Sequence, residues 1–407
     1  MNQSSQQDQH PPGLDERAIS DISRCLLRET LSVLRHRSSL DFPIETWEDN
    51  QSLTEAPLGL DSLELMTAAG HVNRLFALDE TGLEDYLLKR RTLQDWTNLV
   101  TQALGAGGNG QIGTSGLRFM SSGSTGRPTE HAHSWQHLWR EVDHLAASLE
   151  GRKRIICTVP RHHVYGCLFG ALLPQRLGIP CLVEHDAERA LSGGLLPGDL
   201  IIAFPLRWQY ILASTSQFPT DIEGVTSTGP IDSNTWKGLT HLGLSRLWEI
   251  YGATETAGIG MRHSPEDPFS LFPWWKREGE TLLDRHTTTG EEKKYTLPDR
   301  LEWFGISEWL FLPRGRKDGA IQVGGINVSP DHVAAKIAQH PSVTEAVVRP
   351  DRQGRLKAFI VSRQAQIDED QFMEWIRQTL PAVERPTSIR TGPALPRNSM
   401  GKLEDWH

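Results

Sequence analysis

The sequence predicts a multidomain fold in three parts: an N-terminal bundle of four helices, an α/β core, and a small C-terminal α+β domain. Apolar residues recur at helical spacing through residues 14–104. Gly105, Gly107, Gly108, Gly110, Gly113 and Gly116 then mark a flexible joint. From Leu117 short apolar runs alternate with helical stretches, the mark of a layered α/β fold. A chain of 407 residues is long enough for such a division.

Residues 1–13 are rich in Gln, Ser and Pro without periodicity and read as a disordered tail. A first helix is expected over 15–35. A second opens at Leu58-Gly59-Leu60-Asp61-Ser62-Leu63, and Leu65, Ala69, Val72 and Phe76 give it one buried stripe. A last helix over 92–104 turns Leu93, Trp96 and Val100 inward. After a linker over 105–116, the core spans 117–317. Its expected strands are 154–159, 180–183, 200–204, 223–226 and 247–251, and its helices 134–149, 166–177 and 232–239. The last part, 318–407, starts a helix with Ser329 as N-cap and Pro330 at the first helical position. Val333 and Ile337 share its buried face, and His340-Pro341 ends it. Strands over 343–349 and 356–362 and a helix over 369–380 complete the domain.

Composition excludes some function classes. A net charge of -9 gives no bulk attraction to nucleic acid or to an anionic membrane. The run Lys89-Arg90-Arg91 reads as a solvated helix face. Cys25, Cys157, Cys167 and Cys181 are widely spaced, which suits free thiols in the cytoplasm. No apolar run reaches the ~18 residues of a membrane span.

Chemistry concentrates in four motifs. Ser121-Ser122-Gly123-Ser124-Thr125-Gly126-Arg127-Pro128 can fold its amides around phosphate oxygens, because glycine permits the dihedrals required. It is not a P-loop, since no Gly-Lys-Ser/Thr follows. Tyr251-Gly252-Ala253-Thr254-Glu255, then Gly315-Arg316 with Gly324-Gly325, and finally Pro396 to Lys402 follow in order.

From Leu117 onward these motifs resemble the adenylate-forming superfamily of acyl-CoA synthetases, adenylation domains and luciferases. The resemblance implies that Ser121, Ser122, Gly123, Ser124, Thr125 and Gly126 wrap the β- and γ-phosphates of ATP. It implies that Tyr251, with Gly252, stacks on adenine, that Thr254 contacts the α-phosphate, and that Glu255 holds Mg²⁺. Gly229, in Ser227-Thr228-Gly229-Pro230, would run beside adenine and the substrate carboxylate. Asp299 and Arg316 would hold the ribose, and His163 would line the acyl pocket. Asp318 would be the hinge of a mobile C-terminal domain. That domain carries the Gly324-Gly325 loop for thioester formation and Lys402 for adenylation, where a cation stabilises developing charge.

The N-terminal bundle resembles an acyl or peptidyl carrier domain. Ser62, at a helix N-terminus where the dipole favours phosphate, would then carry 4'-phosphopantetheine. Thr129 stands where the superfamily usually has lysine, and the adenylation core looks truncated. Its uncovered sheet face calls for the helical block or a homodimer partner. Amino-acid-activating relatives place an aspartate near His163. Here the local residues are Arg161 and His162, which favours an aryl or fatty acid. The expected activity is acid–thiol ligation: Mg·ATP activates a carboxylic acid as acyl-adenylate, then the acyl group passes to a phosphopantetheine thiol. The acceptor would be the chain's own carrier or a separate one that feeds a downstream synthase in natural-product biosynthesis. A free acyl-CoA ligase and a weakened nucleotide-binding scaffold are the alternatives.

Overall fold

A computed structural model of the chain describes residues 13–105, 113–121, 129–279, 281–284, 293–297, 299–304, 309–317, 319–323, 326–351, 353–362, 368–396 and 403–406. The N-terminal part contains α1 (Glu16–Leu34), α2 (Ser62–Phe76) and α3 (Leu93–Gly105). Each begins where the chain offers a start. Asp15 caps α1 by accepting from the Ala18 N–H at 2.7 Å. Asp61 and Glu64 form a reciprocal capping box at α2. Three α-helices stand where four helices were expected, with a six-residue 3₁₀ turn, Glu84–Lys89, before α3.

A hairpin follows, β1 (Gly116–Ser121) with β2 (Thr129–Ser134), and then α4 (Trp135–Ser148). Next come β3 (Arg154–Cys157), α5 (Val164–Cys167) and α6 (Leu173–Leu177). A π-helical turn, Leu168–Leu172, joins the last two. Pro174 has no N–H to donate, and the helix widens just before it. The core continues through β4 (Cys181–Leu182), α7 (Glu184–Arg189), β5 (Asp199–Ala203), α8 (Pro205–Ser214), β6 (Glu223–Thr226), α9 (Ser233–His241), β7 (Arg246–Ala253), β8 (Ala257–Arg262) and β9 (Phe269–Leu271). A small sheet, β10 (Trp275–Glu278), β11 (Thr281–Asp284) and β12 (Lys293–Thr296), precedes β13 (Asp299–Phe304) and β14 (Leu310–Arg316).

Nine strands form the main sheet, in the order β4-β3-β5-β6-β7-β8-β9-β14-β13. The run from β4 to β7 is parallel, and the remainder antiparallel. The parallel strands are apolar on both faces. Ile155, Cys157, Leu200 and Ile202 enter one core, while Ile156, Ile201 and Ala203 enter the other with Trp208 and Trp236.

The first of these cores also contains the N-terminal helices. Ile19, Ile22, Phe76 and Trp96 belong to the same buried cluster as Val142, Phe169 and Phe311. Ion pairs stitch the same boundary, Arg28 to Glu184 at 2.7 Å and Arg161 to Asp21 at 2.7 Å. A separate carrier-like bundle is therefore not confirmed: a carrier domain buries its own core, whereas this block shares one with the sheet. The helical block packs on the sheet and covers this face.

The C-terminal part has β15 (Ile321–Val323), β16 (Ile326–Val328), α10 (Pro330–Ile337), β17 (Val343–Pro350), β18 (Leu356–Ser362), α11 (Glu369–Thr379) and β19 (Ser388–Gly392). Ser329 caps α10 as expected, accepting from the His332 N–H at 3.2 Å. Val328, Val333, Val348, Ile360 and Phe372 fill a core of its own. No helix among the described residues is long and apolar enough to cross a membrane.

Candidate active site

Parallel strands send their carboxyl ends to one edge of a sheet, and open α/β sheets bind ligands there. The segment after β3 carries His163, the segment after β6 carries Ser227, Thr228 and Gly229, and the turn after β7 carries Thr254 and Glu255. Three of the expected site segments thus lie along one edge.

The loop after β6 is strained and tied down. Thr228 has φ +75°, a left-handed conformation uncommon for threonine. The Ser227 hydroxyl donates to the Ile250 carbonyl at 2.9 Å, which fastens the loop to β7. A Cβ at Gly229 would lie 2.7 Å from Gln322 Oε1, the tip of a side chain on β15 that would have to shift.

The turn after β7 is held from two sides. His133 of β2 lies 2.7 Å from the Thr254 carbonyl through Nε2, which must carry the hydrogen because a carbonyl only accepts. On the other side, the Gly258 N–H donates to both oxygens of Glu141, at 3.1 and 3.0 Å. Trp275 donates to the Gly258 carbonyl at 2.8 Å. Burial pushes the Glu141 carboxyl up to about 7 despite those bonds. Glu255 is half-buried and forms no hydrogen bond or ion pair with another described residue.

Tyr251 is anchored by its hydroxyl, which donates to Asp299 Oδ2 at 2.6 Å. Its ring packs at 5.3 Å from Phe311 and 5.8 Å from Phe269. Asp299 is paired across the β13–β14 ladder with Arg316. Burial and the neighbouring Asp299 charge raise the phenol well above its usual range, so the hydroxyl keeps its proton. Ser121 and Thr129 face each other at the loop end of the β1–β2 hairpin, and the Ser121 hydroxyl lies 3.2 Å from His131 Nε2.

His163 sits at the N-terminus of α5 beside a group brought in from far away. Glu29 of α1 contacts His162 Nε2, and the two histidine rings lie 4.2 Å apart. Burial opposes charge on His162, but Cys25 and Glu29 outweigh it and raise the imidazole to about 9. Desolvation and the adjacent His162 charge push His163 down to about 4. The absence of a carboxylate near His163, expected from the local sequence, is thus corrected: α1 supplies one.

Ser62 is the exposed first residue of α2, with Asp61 doing the capping. Ser122, Gly123, Ser124, Thr125, Gly126, Asp318, the Gly324-Gly325 loop and Lys402 lie outside the described residues. The chain just beyond Lys402 is anchored: Lys357 donates to the Trp406 carbonyl at 2.6 Å and pairs with Asp405 at 2.8 Å. Sequence reading missed Glu29, His133 and Glu141. Only Glu141 leaves a signal, as a carboxylate amid Leu138, Val142 and Leu145 on the apolar stripe of α4.

Residues 332–402 match the family model described as the AMP-binding enzyme C-terminal domain. A 4-coumarate–CoA ligase of Halorhodospira halophila is 41% identical over 86% of this chain and 89% of its own length. The chain belongs to the adenylate-forming family of acid–thiol ligases. A 4-coumarate–CoA ligase of Rhodobacter capsulatus is 34% identical to this ligase, over 95% of the chain and all of the relative. Among solved structures, an o-succinylbenzoate CoA synthetase from Bacillus subtilis superposes with a TM-score of 0.57 at 16% identity. It covers 96% of the ligase and 91% of itself, so the N-terminal helices fall within the shared fold. Truncation of the core is likewise not confirmed, since full-length relatives match nearly end to end.

Proposed function

We propose that the ligase activates an aromatic carboxylic acid of the hydroxycinnamate class and passes the acyl group to free coenzyme A. The carboxylate oxygen attacks the α-phosphorus of ATP, pyrophosphate leaves, and an acyl-adenylate forms. The CoA thiol then displaces AMP and loses its proton, leaving a thioester. The observation that carries this reading is the convergence of His163, Gly229, Thr254 and Glu255 at one sheet edge beside the Tyr251–Asp299 pair. The names of the two relatives, 4-coumarate–CoA ligase, supply the substrate class and the acceptor.

In this reading Asp299 and Arg316 receive the ribose, Tyr251 lies against adenine, and Thr254 and the Ser121–Gly126 loop meet the phosphates. Glu255 suits Mg²⁺, being a half-buried carboxylate without a pairing partner among the described residues. Bound there, the ion neutralises phosphate charge. Lys402 supplies a cation to the adenylation step, and Asp318 lets the C-terminal domain turn the Gly324-Gly325 loop toward the thioester step. Glu29 is already engaged by His162, so it leaves no free carboxylate for an α-ammonium group. Carrier loading through Ser62 is not part of this reading.

The test is AMP release and thioester formation with hydroxycinnamic, benzoic, fatty and α-amino acids, with CoA or a phosphopantetheinylated carrier as acceptor. Hydroxycinnamate- and CoA-dependent thioester is expected. Turnover only with a carrier, or only with fatty or amino acids, would overturn the proposal.

A further inference from the structure

We propose that Glu29, His162 and His163 form a binding site for one divalent transition-metal ion of the zinc class. One ligand atom from each residue lies within 4.8 Å of the other two. Ligands at ~2.0–2.2 Å from a zinc ion sit about 3.3 Å apart, so small side-chain rotations close the site. Two imidazoles and one carboxylate make a donor set that suits zinc and leaves a fourth position open.

The surroundings point the same way. His162 is only 8% exposed and its Nε2 contacts Glu29, so a bound ion would take the place of the proton between them. Glu29 and His163 remain exposed, which gives an ion a route in. Neighbouring cations are already engaged, since Arg161 pairs with Asp21 at 2.7 Å. His71 lies 2.7 Å from the Thr30 hydroxyl. Glu29 belongs to α1 and the histidines to the segment between β3 and α5, so a bound ion bridges the N-terminal helices and the sheet. The site is distinct from Glu255, whose oxygen donor suits magnesium instead.

The experiment uses tag-free full-length protein, stripped with chelator, desalted and titrated with Co²⁺ in excess Mg²⁺. Expected are one cobalt per chain with the visible absorption of a low-coordinate ion, its displacement by Zn²⁺, and a higher melting temperature with Zn²⁺. Glu29→Gln and His163→Gln alter exposed side chains and should each weaken binding at least about 10-fold with unchanged circular dichroism. No stoichiometric uptake, equal uptake by both variants, or displacement by Mg²⁺ would each overturn the proposal.

Discussion

The Tyr251 hydroxyl donates to Asp299 Oδ2 at 2.6 Å, although β8, β9 and β14 lie between their strands in the sheet. Four strand spacings of ~4.8 Å would separate them in a flat sheet by about 19 Å. The hairpin of β13 and β14 pairs with β9 through Leu310 and Phe311, and the Leu271 N–H donates to the Trp309 carbonyl at 2.8 Å. Its far end, where Asp299 stands opposite Arg316, reaches back over Tyr251. The bond fixes the orientation of the Asp299 carboxylate.

Under the proposed function, Tyr251→Phe should raise the KM for ATP about 10-fold, the scale of one hydrogen bond to a charged group. Asp299→Ala should cost more, since it removes the acceptor for ribose as well. Steady-state kinetics at saturating acid checks both. Unchanged KM in Tyr251→Phe would show that the bond orients nothing.

Glu141 carries a pH signature. Its folded carboxyl titrates near 7, against 4.5 unfolded. A raised pKa means that its stabilisation is fully present below 4.5 and is lost as pH rises through 7. The loss is on the order of 3 kcal/mol at 1.36 kcal/mol per unit. Glu141→Gln keeps an acceptor for the Gly258 N–H, so its stability should change less across that window. Chemical denaturation at several pH values measures the difference.

His162 predicts a slope at higher pH. Its imidazole is raised from 6.5 to about 9 in a setting that includes Cys25, Glu29, His71 and His163. That contribution is complete below 6.5 and disappears as pH passes through 9. The melting-temperature gap between wild type and His162→Gln should therefore shrink over this range, measured in chelator. A constant gap would mean that the charged pair with Glu29 contributes nothing.

Ser62 offers a test of acceptor. Ser62→Ala should leave CoA thioester formation within about 2-fold of wild type, because an exposed substitution beside an intact Asp61 cap is close to neutral. Mass spectrometry after treatment with a phosphopantetheinyl transferase should show no added mass on the wild-type chain. A pantetheine increment at Ser62 would restore the carrier reading.

The sequence by itself determined the layered α/β core, the C-terminal α+β domain and the order of the nucleotide motifs. These are local properties: periodicity sets strands and helices, and capping residues such as Asp61 and Ser329 set their starts. Within the N-terminal part, the stripe from Leu65 to Phe76 announced a buried face but not its partner. Only the packing decided that this face shares a core with the sheet, because an apolar stripe is satisfied equally by its own bundle or by a neighbour. The same holds for Glu29 beside His162, Glu141 beneath Gly258, and Asp299 over Tyr251. Each joins residues distant in the chain, and no spacing along a sequence encodes a contact that the closing of a sheet creates.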